Sequence, residues 1–150
     1  MIGFADTSLL CALYRDQANT GKADALIAHY KEPFAISSLV ALEFRQSVRL
    51  QTFRFSSGRT QGFSKFESAR MLTKFELNIT LGIVEFVPVN WPDVHSLAER
   101  LSAQYTPAGG HRTLDVLHVA TAVHCGVKAF ITFDKKQATL AKAAGLKVRP

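Results

Sequence analysis

Acidic residues are scarce in this chain. Its 150 residues hold 12 aspartates and glutamates against 18 lysines and arginines, a formal charge of +6. That balance points to a polyanionic partner such as nucleic acid, an anionic membrane surface or an acidic protein. Cysteine is nearly absent. Cys11 and Cys125 stand alone, with no C-x-x-C spacing to suggest a thiolate metal site, and read as free buried thiols in a reducing cytosol. No apolar run comes near the roughly 18 residues needed to span a bilayer. The opening segment MIGFADTS has neither a basic stretch nor a long apolar core, so no signal peptide is expected. G-x-G-x-x-G after a first strand and G-x-x-x-x-G-K-[ST] are both missing, which excludes the usual dinucleotide and P-loop sites. Without repeats, low-complexity tracts or a composition shift, residues 1–150 read as one domain, long enough to bury a core.

What is present alternates between two periods. IGFAD is a short apolar strand that stops at Asp6, where Asp6, Thr7 and Ser8 favour the start of a helix running towards Tyr14. A second helix, from about Thr20 to Lys31, carries Ala23, Leu26, Ile27 and Tyr30 at helical spacing. After Pro33, PFAIS is the second strand, and Ser37 or Ser38 can cap a helix that holds Glu43. Beyond the turn SSGRTQG, the residues Phe66, Ala69, Leu72, Phe75 and Ile79 mark a long helix. IVEFVPV is the third strand, followed by a helix from about Asp93 to Tyr105 and a loop, TPAGGHR. TLDVLHVATAVHCG is apolar almost all round, as expected of a helix buried against a sheet and closed by Gly126. AFITF is the fourth strand, DKKQATLAKAAG a helix with a capping-box start from Asp134 to Gln137, and LKVRP a last strand. The alternation predicts an α/β domain with a mainly parallel sheet.

Four acids then stand out: Asp6, Glu43, Asp115 and Asp134. The first three lie in nearly apolar segments and the fourth follows a strand. A carboxylate in such a setting is paired, protonated or holding a cation, because an isolated buried charge is costly. Asp6 and Asp134 each have a second reading, as helix caps stabilised by the positive helix terminus. Glu43 finds no basic residue three or four positions away on its own helix, where Leu39, Val40, Gln46 and Ser47 stand. Asp115 can pair with Arg112 or His118, or simply sit in the first turn of its helix. In a parallel sheet, sites lie beyond the carboxyl ends of the strands. The strand order permits all four acids to meet there.

The succession apolar strand–D-T-S, V-A-L-E-F, R-T-L-D-x-L-H-V-A-T-A and I-T-F-D-K-K resembles the PIN-domain ribonucleases, whose best-known small members are toxins of bacterial VapBC toxin–antitoxin pairs. The resemblance spans Ile2 to Val148. It implies a three-layer α/β/α domain with four to five strands. It implies Asp6, Glu43, Asp115 and Asp134 as catalytic, metal-binding acids, with Ser8 and Thr132 as accessory hydroxyls. It further implies Mg²⁺ or Mn²⁺ as cofactor, an RNA substrate, a cognate antitoxin as partner, and a homodimer or toxin–antitoxin assembly in the cytoplasm. Hard divalent ions prefer such oxygen ligands, and a bound ion both lowers the pKa of water and acts as a Lewis acid on phosphate. Asp6 and Asp115 are assigned as direct ligands, with Glu43 and Asp134 direct or through water.

An acid cluster repels RNA, so basic residues must surround it. Arg112, Lys135 and Lys136 adjoin the acids, and Arg45, Arg49, Arg54 and Arg59 follow the Glu43 helix, either gripping phosphate or forming a solvated face. Phe53, Phe55, Phe63, Phe66 and Phe75 can stack bases, or pack in the core or a dimer. His111 and His118 can position water or make structural hydrogen bonds. A haloacid-dehalogenase-like phosphatase also opens with strand–Asp, but it needs a second Asp where this chain has Ser8. The remaining rival is a non-catalytic RNA- or protein-binding module on the same fold.

Overall fold

Three runs free of polar side chains form the middle of a parallel sheet: β1 (Phe4–Ala5), β2 (Phe34–Ile36) and β4 (Ala129–Ile131). All their residues are buried, as required of strands covered on both faces. The edges are β3 (Val84–Phe86) and β5 (Lys147–Arg149), whose Glu85, Phe86 and Lys147 are exposed. The computed structural model describes residues 3–15, 18–29, 32–58 and 61–149. Ile2, Tyr30, Lys31, Arg59 and Pro150, which enter the expectations above, lie outside them.

The strand order is β3-β2-β1-β4-β5, parallel throughout, with Phe4 opposite both Ala35 and Phe130. The chain therefore winds one way from β1 to β3, crosses over, and continues on the other side through β4 and β5. The gap beyond the carboxyl ends of β1 and β4 is the point where a doubly wound sheet opens a crevice.

Among the described residues there are seven helices: α1 (Thr7–Tyr14), α2 (Thr20–His29), α3 (Ser38–Ser56), α4 (Lys65–Thr80), α5 (Trp91–Gly109), α6 (Thr113–His124) and α7 (Lys135–Ala143). Helices α1 to α4 pack on one another, as do α5 to α7, and the sheet lies between the two groups in three α/β/α layers. On the first side, Phe75 meets Tyr14 and Phe44 edge to face, and Tyr14 and Phe44 meet at a tilt, with ring centroids 4.9–5.5 Å apart. On the other, α6 buries Val116, Val119, Ala120 and Ala122. No helix is long and apolar enough to cross a membrane, among the described residues. Cys11 and Cys125 are free thiols, but only Cys11 is buried as expected; Cys125, at the end of α6, is half-buried.

Helix α5 departs from expectation at both ends. It begins at Trp91, because Pro92 is tolerated in a first turn where the backbone N–H has no helical acceptor. It also continues through Pro107 to Gly109, and ends where Gly110 turns left-handed at φ 63°. The loop expected over TPAGGHR shrinks accordingly.

Candidate functional site

Asp6 follows β1 and caps α1. Its Oδ1 accepts from the Leu9 amide at 3.1 Å and from Ser8 Oγ at 2.6 Å, and its Oδ2 accepts from Thr132 Oγ1 at 2.6 Å. The residue is fully buried, and burial pushes its pKa up to about 6 even though those three hydrogen bonds pull it down. Both hydroxyls also accept from the backbone after β4, Ser8 from the Phe133 amide at 2.8 Å and Thr132 from the Asp134 amide at 2.9 Å. Their protons thus go to Asp6, and their oxygens tie β4's exit to β1's.

Asp134 caps α7. Its Oδ1 accepts from the amides of Lys136 at 2.7 Å and Gln137 at 3.0 Å. The Gln137 side chain does not complete the expected capping box. It leaves the helix terminus instead, and Nε2 donates to Asp115 Oδ1 at 2.9 Å. The Asp134 amide, which the box would give to Gln137, goes to Thr132 Oγ1 instead.

Asp115, 4% exposed in the first turn of α6, also receives Arg112. Nε donates to Oδ2 at 2.9 Å and Nη2 to Oδ1 at 3.4 Å. Burial alone would raise this carboxyl, but Arg112 and Gln137 hold it below the ordinary range. Arg112 Nη2 lies 3.8 Å from Asp134 Oδ2, so one guanidinium spans two acids.

Glu43 sits about one turn into α3. Its Oε2 accepts from Thr7 Oγ1 and, at 2.6 Å, from His118 Nε2. Burial works against ionisation here too, but the His118 and Thr7 bonds hold the carboxyl below its usual value. The basic partner missing from α3 comes from α6. With Nε2 donating, His118 keeps Nδ1 buried and without a hydrogen-bond partner.

The structure thus brings Asp6, Glu43, Asp115 and Asp134 to one edge of the sheet. Thr132 joins Asp6 to Asp134, Gln137 and Arg112 join Asp134 to Asp115, and the Asp115 charge reaches Glu43. Among the described residues, however, no three His, Cys, Asp or Glu side chains stand where together they could hold a metal ion. Each acid is turned towards hydrogen-bond donors of the chain itself.

The cations divide. Arg112, Lys135 and Lys136 are exposed beside the acids. Arg49 is exposed on α3 and Arg54 half-buried. Arg45 pairs with Glu76 at 2.7 Å and covers the Phe75 ring at 5.2 Å, which occupies its guanidinium on α4. The phenylalanines divide as well: Phe75 is core, Phe63 lies under Arg15, and Phe53, Phe55 and Phe66 are exposed. His111 makes no hydrogen bond through its buried Nδ1 and lies against Gly109, where a Cβ would come within 2.3 Å of the ring. Thr7 and Gln137 are the contributors that sequence reasoning saw only as helix-end residues. D-T-S gave a hint of Thr7, whereas Gln137 had no signal beyond its capping position.

The profile of the PIN domain family matches residues 4–143. No curated protein matches the chain significantly by sequence. Several solved structures share its fold, FitAcB and VapC20 among them. FitAcB from Neisseria gonorrhoeae has a TM-score of 0.62 at 16% identity, over 98% of this chain and 96% of that one. VapC20 from Mycobacterium tuberculosis, a toxin that cleaves the sarcin–ricin loop, has a TM-score of 0.60 at 18% identity, over 98% of each.

Proposed function

Because the chain belongs to the PIN domain family, we propose that it is a divalent-metal-dependent endoribonuclease, and that it acts in the cytoplasm as a toxin held in check by a cognate antitoxin. The observation that carries this reading is the hydrogen-bonded gathering of Asp6, Glu43, Asp115 and Asp134 beyond the ends of β1 and β4. VapC20, of similar fold, is an RNA-directed toxin, which supports the same class of activity.

The donor set fits Mg²⁺ or Mn²⁺. All four acids offer hard oxygens, two of them already share one cationic group, and Asp6 bears an ionisation penalty that a nearby cation would relieve. Asp6, Glu43, Asp115 and Asp134 would hold the ion once they turn from their present donors, and it would supply Lewis acidity and a water of lowered pKa. The chain's own residues have separate tasks. Ser8 and Thr132 fix the Asp6 carboxylate, Thr7 and His118 fix that of Glu43, and Gln137 aligns Asp115. Arg112, Lys135 and Lys136 offset the negative edge and draw in the RNA backbone, with Arg49 extending the path along α3 and Arg45 joining only if it leaves Glu76. Exposed Phe53, Phe55 and Phe66, with Leu42, Leu77 and Leu81, supply apolar area for a second copy or for the antitoxin.

Cleavage of a labelled RNA by the purified protein is the test. Cleavage is expected with Mg²⁺ or Mn²⁺ and should stop on chelation or with Asp6→Asn or Asp115→Asn. Variants that cut as fast as the parent would overturn the mechanism assigned to these acids, and a parent that cuts no RNA with either ion would favour the non-catalytic module.

A further inference from the structure

In this structure one cation already binds the acids, and it is an arginine of the chain itself. The four oxygens of Asp115 and Asp134 are divided in a consistent way. Helix α7 takes the Oδ1 atoms: Gln137 Nε2 reaches Asp115 Oδ1 at 2.9 Å, and the amides of Lys136 and Gln137 reach Asp134 Oδ1 at 2.7 and 3.0 Å. Arg112 takes both Oδ2 atoms, that of Asp115 at 2.9 Å and that of Asp134 at 3.8 Å, and reaches Asp115 Oδ1 only through Nη2 at 3.4 Å. The first set belongs to a helix terminus and a buried glutamine. The second belongs to a side chain that is 76% exposed, on a residue with extended backbone (φ −84°, ψ 155°) whose side chain makes no capping bond. Only its hydrogen bonds to Asp115 and its attraction to the two acids hold the guanidinium where it is.

Resting on the metal-dependent reading above, we propose that Arg112 is a resident counter-cation of the acid cluster, which a divalent ion must displace in order to bind. Like-charged carboxylates gathered at a sheet edge repel one another, and the guanidinium relieves that repulsion when no metal is bound. A divalent ion seeks the same Oδ2 atoms, and a unit positive charge a few ångströms away opposes it. The Oδ1 scaffold stays in place when Arg112 swings out, so Asp115 and Asp134 remain aligned for the incoming ion. The freed planar fork then matches a phosphate group. Arg112 is thus a positioning residue that sets how readily the site loads.

Titration of the metal-free full chain with Mn²⁺, by calorimetry and by thermal melting, tests this. Arg112→Ala should melt lower than the parent without metal, bind Mn²⁺ more tightly by roughly 5-fold or more, the lower end of ordinary coupling between sites, and show a larger Mn²⁺-induced rise in melting temperature. Arg112→Gln keeps a hydrogen-bond donor without the charge; it should also bind more tightly, and serves if the alanine variant does not fold. Equal or weaker Mn²⁺ binding by a folded variant, alongside a parent that binds, overturns the role of Arg112 and leaves the nuclease reading intact. Absence of Mn²⁺ binding by both proteins removes the metal reading and this inference together.

Discussion

Asp6 shows how one residue serves two demands. As the cap of α1 it needs only an oxygen for the Leu9 amide, which Asn supplies about as well. Its charge is a separate matter. The folded carboxyl titrates near 6 against an ordinary 3.8, so between those values the folded chain keeps a proton that the unfolded chain has lost. Its contribution to stability is therefore full below about pH 4 and is lost as pH rises through 6. Above that the ionised group costs on the order of 3 kcal/mol, at about 1.36 kcal/mol per unit. In chelator, Asp6→Asn should gain stability relative to the parent as pH goes from 4 to 8, and melting curves at the two pH values would show it. A constant difference would mean that Asp6 carries no burial penalty. The same carboxylate caps the helix and faces the cluster, so capping does not exclude it from the candidate site.

At the scale of elements, the order of strands and helices was legible because local period and end signals suffice for it. Phe4, Phe34–Ile36 and Phe130 read as buried strands, and Ser37 and Asp134 as caps, before any contact was known. What stayed hidden needed a partner distant in sequence. Glu43 looked unpaired because only α3 was in view, whereas His118 lies 75 positions away. Gln137 looked like half of a capping box because Asp115, to which its side-chain amide donates, is 22 positions back, and the Asp134 amide turns to Thr132. That bond makes α7 part of the site. Gln137→Ala should lower stability by about 2 kcal/mol, the scale of a hydrogen bond to a charged group, with the loss read from the midpoint of urea unfolding at unchanged slope. A loss below half a kcal/mol would place Asp115 under the control of Arg112 alone. The end of α5 was misread for a further reason: T-P-A-G-G has the composition of a loop, but only Gly110 adopts the left-handed backbone that stops the helix.

Across the whole molecule, net positive charge matters only where guanidinium and ammonium groups remain available. Lys135 and Lys136 are exposed, whereas Arg45 is paired with Glu76. RNA affinity should fall linearly with the logarithm of salt, and replacing both lysines by alanine should reduce that slope by about 1.4, at about 0.7 per phosphate contact on a single strand. Arg45→Ala should leave the slope nearly unchanged; a full-sized drop would mean that Arg45 exchanges Glu76 for phosphate. The winding of the sheet has a consequence in time. Asp6 is held by Thr132 across 126 positions, and Asp115 by Gln137. A ribosome must therefore synthesise past residue 137 before the first acid meets the last. Until that ring closes, the nascent chain carries every acid made so far but no assembled site, and a chain cut short of α7 lacks the bond that aligns Asp115.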